Sequence, residues 1–125
     1  MIDHISLAVR DLKKGEAFYA ALLAPLGMTK LREWPDAAIG FGKKYPEFWI
    51  NRRSAMDRIA ADSGVHICLR APDNAAVDAF HSAALAAGGT SDGAPGLRKE
   101  YHDNYYAAFI RDPDGNRVEA VTFLR

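Results

Sequence analysis

Three side chains in this sequence are of the kinds that hold a transition metal: His4, His66 and Glu119. Two neutral imidazoles and a carboxylate make a facial set suited to one divalent ion of Fe, Mn, Zn, Ni or Co. Three protein ligands leave positions open for water and for substrate oxygens. A lone histidine on a strand is more often structural than liganding, and a glutamate beside a turn is ordinarily a surface residue. What raises these three above that background is their place in a repeat.

Displacing the chain by 62 residues lays His4–Met28 over His66–Thr90 without a gap, with ten of the 25 positions identical. The identities include His4/His66, Leu7/Leu69, Asp11/Asp73, Phe18/Phe80, Leu23/Leu85 and Gly27/Gly89. A second, weaker match at an offset of 70 lays Ala37–Ile50 over Ala107–Ala120 and aligns Trp49 with Glu119. One module is therefore used twice.

The elements that position the three residues read alike in both halves. Ile5, Leu7 and Val9 alternate with His4, Ser6 and Ala8, the period-two pattern of a half-buried strand. Asp11 and Asp73 suit N-caps of helices over 12–24 and 74–87, with Phe18, Leu22, Phe80 and Leu85 on the apolar faces. Gly27 and the Gly88-Gly89 pair stop those helices. Further strands are predicted over 28–34, 37–42 and 46–51, and over 89–93, 105–111 and 116–123. Asp112–Asn116 is the turn of the closing hairpin. The class is α+β, one domain of two tandem βαβββ modules: the first about 1–51, a polar linker over 52–63, the second about 64–125. Residues 94–104 read as a longer, mobile loop.

Alternation puts His4, Ser6 and Ala8 on one face, and His66, Cys68 and Arg70 on the matching face of the second module. Glu119, Val121 and Phe123 share a side of the last strand. A pseudo-twofold between modules turns matched faces toward each other across a cleft, within one chain or between two. His102, in the loop, is a candidate general acid or base because histidine titrates near neutrality; its bland reading is a solvated loop residue. One of Tyr105 and Tyr106 must face the cleft, and alternation does not say which. Tyr106 joins His102 as a catalytic candidate, and Tyr105 joins Trp49 and Arg98 as candidate substrate contacts. Trp34 and Phe41 are further candidate pocket walls, though large aromatics are more often core. Cys68 reads as a small core residue and His81 as a surface one.

Sixteen basic and sixteen acidic residues in 125 balance, so no net field favours nucleic acid or a membrane surface. Charged residues interrupt every apolar stretch before membrane-spanning length. The single cysteine and the absence of a leader before His4 make the cytoplasm the expected address. Exposed strand edges in so short a chain lead us to expect a homodimer.

These residues resemble a family. The DHISLAV start, the module-opening His66 and the closing DPDGNRVEAV are similar to the vicinal-oxygen-chelate superfamily. It includes glyoxalase I, bleomycin- and fosfomycin-resistance proteins, extradiol dioxygenases and methylmalonyl-CoA epimerase. AFHSAALAAGG, GAPGLR and YYAAFIRDPDGN look like a bacterial subgroup of small single-chain members whose substrates are mostly unassigned. The resemblance spans the whole chain and implies an eight-stranded half-open barrel around one divalent metal. By resemblance, His4, His66 and Glu119 fall on three of the family's ligand positions. The fourth, a glutamate in glyoxalase I, falls on Trp49, whose indole offers only an N–H donor. That departure argues against simple glyoxalase I activity. The remaining set resembles the extradiol-dioxygenase and fosfomycin-resistance pattern. What the resemblance implies is a divalent-metal-dependent lyase, isomerase or oxygenase acting on a small molecule through neighbouring oxygens. A non-catalytic drug-binding protein and a thiol transferase to an epoxide are the alternatives.

Overall fold

The computed structural model describes residues 1–124. Strand β1 (Ile5–Val9) buries Leu7 and Val9 and leaves Ser6 exposed, as the alternation requires. Helix α1 (Leu12–Leu23) starts where the Asp11 carboxylate accepts from the Lys14 amide at 3.0 Å. It ends in one 3-10 turn, Ala24–Leu26, because Pro25 and a left-handed Gly27 (φ 82°) cannot continue it. Strands β2 (Thr29–Trp34), β3 (Ala38–Gly42) and β4 (Phe48–Arg52) complete the first module. The second repeats it with β5 (His66–Arg70), α2 (Asn74–Ala86), β6 (Thr90–Leu97), β7 (Tyr105–Arg111) and β8 (Arg117–Phe123). Asp73 caps α2 through the Ala76 amide at 2.8 Å. Each such cap is worth about 1 kcal/mol.

The strands form two sheets of four, ordered β1-β4-β3-β2 and β5-β8-β7-β6. The first strand of each module lies parallel to its last, with antiparallel pairing elsewhere. Ser6 stands opposite Trp49 in one sheet and Cys68 opposite Glu119 in the other, so the two internal matches coincide in the register. The offset of 70 slips by one on the neighbouring strands. Gly40 faces Trp49 across β3–β4, while Phe109 faces Glu119 across β7–β8.

Helix α1 packs on β2–β4, α2 packs on β6–β8, and the helices pack on each other. One core therefore joins Val9, Phe18, Leu22, Phe41, Phe48 and Ile50 with Val77, Phe80, Ala108, Ile110 and Val118. The half-open barrel is thus two half-barrels that do not close on each other, each with one face against the helices and one free of them.

A polar staple ties the modules together. Asp112, 1% exposed, accepts from the Tyr19 hydroxyl at 2.6 Å, the amides of Asp114 (2.9 Å) and Asn116 (2.8 Å), and the Asn116 side chain (2.8 Å). The same Asn116 amide donates to the Ala8 carbonyl at 2.8 Å, and Arg10 Nε meets Asp114 at 2.7 Å. The DPDGN turn is a clamp on module one.

Four expectations need correction. Strand β6 runs to Leu97, so the loop predicted over 94–104 begins only at residue 98; its Gly-Pro-rich stretch is a bulged strand still paired with β7. Leu85 is 43% exposed rather than on the buried face of α2. His81 is buried, its Nε2 lying 2.8 Å from Ser91 Oγ. Cys68 is exposed on the helix-free face rather than in the core. No described helix is long and apolar enough to cross a membrane.

Candidate metal centre

His66 opens β5 and Glu119 sits in the middle of β8, on the helix-free face of the second sheet. The pairing of Cys68 with Glu119 puts His66 diagonally beside the carboxylate. His66 Nε2 lies 3.2 Å from Glu119 Oε1. The other oxygen, Oε2, accepts from the Tyr105 hydroxyl at 2.5 Å. Glu119 is 2% exposed, held in the hollow of the half-barrel. A buried carboxylate needs its charge met by strong donors or a cation.

Desolvation, then the hydrogen bond to Glu119, pushes the Tyr105 hydroxyl well above its usual pKa, so Tyr105 stays protonated and donates. Cys68 Sγ is 4.0 Å from that hydroxyl. Desolvation and the Glu119 charge push the thiol up to about 12, so it is no nucleophile at neutral pH.

The donor set fits half of a metal site. Nitrogen and oxygen ligands bound at about 2.1 Å to one ion stand roughly 3–3.5 Å apart, the scale of the His66–Glu119 separation. Tyr105 supplies the outer hydrogen bond that orients a ligating carboxylate. The third candidate is not beside them. His4 is exposed, just ahead of β1 on the other sheet, with Nδ1 2.7 Å from Asp3 Oδ1. Within one chain, no group of three or more His, Cys, Asp or Glu among the described residues can hold a metal.

The remaining candidates divide. Tyr105 faces the Glu119 side, whereas Tyr106 points to the helix and donates to Asp78 at 2.6 Å. Tyr106 is therefore removed from the catalytic candidates, since neighbouring residues on a strand face opposite ways. His102 accepts from the Asn104 amide through Nδ1 at 3.0 Å and meets Phe123 edge-on, the ring that also meets Tyr105. It stands two aromatic contacts from Glu119. Trp49 lies on the helix-free face of the first sheet, its Nε1 donating to the Pro46 carbonyl at 3.1 Å. It lies over Gly40, where a Cβ would come within 2.9 Å of the indole. Trp34 is exposed and lines a hollow with Trp49, while Phe41 is core.

Arg98 lines a cavity of about 320 Å³ with His66, Asp92, Tyr101, Phe109 and Arg117. Of these, Asp92, Tyr101, Phe109 and Arg117 escaped sequence reasoning. The available signal was the parity of Phe109 with Tyr105 on one strand.

Two half-barrels, one of them with a buried carboxylate and an imidazole in its hollow, define the class of fold. The sequence profile of the Glyoxalase/Bleomycin resistance protein/Dioxygenase superfamily matches residues 1–120, and the chain belongs to that superfamily. A solved glyoxalase/bleomycin resistance protein from Albidiferax ferrireducens T118 is 30% identical, with a TM-score of 0.79 over 94% of both chains. A glyoxalase/bleomycin resistance protein/dioxygenase family enzyme from Burkholderia phytofirmans PsJN shares the fold at 20% identity (TM-score 0.74, 98% of both chains). So does a lactoylglutathione lyase from Agrobacterium tumefaciens, at 23% identity and TM-score 0.65 over 97% of this chain and 92% of that one. No curated protein matches.

Proposed function

We propose that the protein is a divalent-metal-dependent enzyme for a small molecule bearing neighbouring oxygens, with each site shared between two copies of the chain. The observation that carries this is the buried Glu119 carboxylate, 3.2 Å from His66 and fixed by Tyr105. His66 and Glu119 would hold Fe, Mn, Zn, Ni or Co from one chain, and His4 from the other. Asp3 on Nδ1 of His4 leaves Nε2 as the nitrogen for a cation. A bound divalent ion would serve as a Lewis acid, stabilising negative charge as it develops on a substrate oxygen. Tyr105 keeps Glu119 in place, and the rings of Tyr105 and Phe109 shield the hollow from bulk water. Any proton step falls to His102 or to solvent, since Tyr105 holds its proton and Tyr106 points away.

The homodimer is part of this reading. His4 would supply its part of the ligand set from the first module and His66 with Glu119 theirs from the second, since among the described residues one chain does not bring the three together. Facing copies would place His4 of one against His66 and Glu119 of the other twice, by symmetry.

The test is intersubunit complementation read by metal content. His4→Ala and Glu119→Ala should each lose the ion. Unfolded together and refolded as a mixture, they should recover about a quarter of the wild-type metal, because half the dimers are mixed and each regains one intact site. No recovery excludes the shared site. A wild-type protein that takes up no metal would favour non-catalytic ligand capture.

A further inference from the structure

The cavity beside His66 holds a cation that the strand is shaped to position. Arg98 Nη2 donates to the Ala94 carbonyl at 2.6 Å, and its guanidinium carbon stands 5.3 Å from the centre of the Phe109 ring. Two glycines make the room. A Cβ at Gly93 would sit 3.2 Å from Arg98 Nη2 and 3.0 Å from Phe109, and one at Gly96 would sit 3.2 Å from Nη1. Strand β6 brings them there through two breaks in its pairing with β7, between Ser91 and Gly93 and between Gly93 and Gly96. Bulges of this kind bend a strand and re-aim a side chain.

Arg98 also differs from its neighbours in charge balance. Arg111 and Arg117 lie 3.4 and 3.7 Å from the Asp92 carboxylate, and both donate to the Ala61 carbonyl. Their role is to tie the linker to the sheet. Arg98 forms no ion pair among the described residues. A guanidinium stacked on a ring and held at one corner keeps its other N–H groups for a planar oxyanion, which it binds in fork geometry. The cavity, about 320 Å³, is at the small end of ligand pockets.

We propose that this cavity takes a small carboxylate-bearing compound, with its carboxylate on Arg98 and its body between the Tyr101 and Phe109 rings. The oxygens to be activated would then point toward His66 and Glu119. That orientation rests on the metal-centre reading above; the Arg98 contact does not.

Salicylate and its neutral amide, salicylamide, are matched probes for titration calorimetry on chelator-treated protein. Wild type should prefer salicylate by about tenfold or more, the scale of a hydrogen bond to a charged group. Arg98→Met should abolish the preference, and Arg98→Lys should keep only part of it, because an ammonium lacks the fork. Gly96→Val keeps every charge and fills the guanidinium's space, so it should also lose the preference; its circular dichroism melt reports whether the fold persists. Because the titrations use metal-free protein, failure of the metal reading is seen separately, in the metal content of the untreated wild type. Equal binding of the two probes by wild type, no binding of salicylate, or a full preference surviving in Arg98→Met overturns the proposal.

Discussion

Trp49 occupies in the first sheet the register position that Glu119 occupies in the second, one opposite Ser6 and the other opposite Cys68, residues that the 62-residue repeat equates. A carboxylate at both positions would give a site acid–base groups on two sides. Here one side is an indole over Gly40, and Glu47, two residues earlier, is exposed and outside β4.

From this we expect the protein, loaded with Ni(II) or Zn(II), not to isomerise the methylglyoxal–glutathione hemithioacetal at ordinary enzyme rates of roughly 1–10³ s⁻¹. Trp49→Glu should gain turnover, since a placed acid–base group is worth about 10²–10⁴-fold. A wild-type rate within the ordinary range would show that the missing carboxylate is dispensable.

The Tyr105 hydroxyl donates to Glu119, so under the proposed metal centre it would act as a positioning residue. Tyr105→Phe should weaken metal affinity about 10–100-fold, measured by competition with a chelating dye. His66→Ala and Glu119→Ala should abolish binding. Equal affinity in wild type and Tyr105→Phe would remove the hydroxyl from the site's design.

The module clamp is tested at Asp112, whose four bonds all come from donors. Asp112→Asn would set its own N–H₂ against one pair of them. We expect a loss of about 2–3 kcal/mol in denaturant unfolding, the cost of leaving buried donors without acceptors. Tyr19→Phe should lose less, since a single bond goes.

His81 predicts a pH dependence. Burial lowers its pKa from 6.5, outweighing the opposing charge of Asp78. A base with a depressed pKa in the folded state binds protons better unfolded. Its contribution is therefore present above pH 6.5 and is lost as the pH falls through the lower, folded value. Melting temperatures taken from pH 7.5 down to 5 should drop, and His81→Gln should flatten that slope; an unchanged slope in the variant assigns it to other groups.

The sequence by itself determined the local order of this protein. Alternating apolar residues, aspartate caps and glycine stops specify β1, α1, β5 and α2 because those signals act over one or two turns of chain. Self-similarity at 62 residues then specified a duplicated βαβββ unit and paired His4 with His66, and the weaker match at 70 paired Trp49 with Glu119. Where the signal weakened, the reading failed for identifiable reasons. The Gly-Pro stretch of β6 looks like loop until β7 supplies its hydrogen bonds, and His81 looks exposed until Ser91 from β6 covers it.

Tertiary structure decided the rest. Tyr105 and Tyr106 are indistinguishable by alternation, and it took Glu119 on one side and Asp78 on the other to separate them. The arrangement of the two modules was equally open. Each helix has an apolar stripe that must be buried, yet nothing local says against which surface. In this chain α1 and α2 bury theirs on each other and on their own sheets, which leaves His4 exposed just ahead of β1 in one module and His66 with Glu119 on the helix-free face of the other. Whether the three candidate ligands meet is thus settled by how apolar faces pair over long distances, a choice that no stretch of sequence encodes locally.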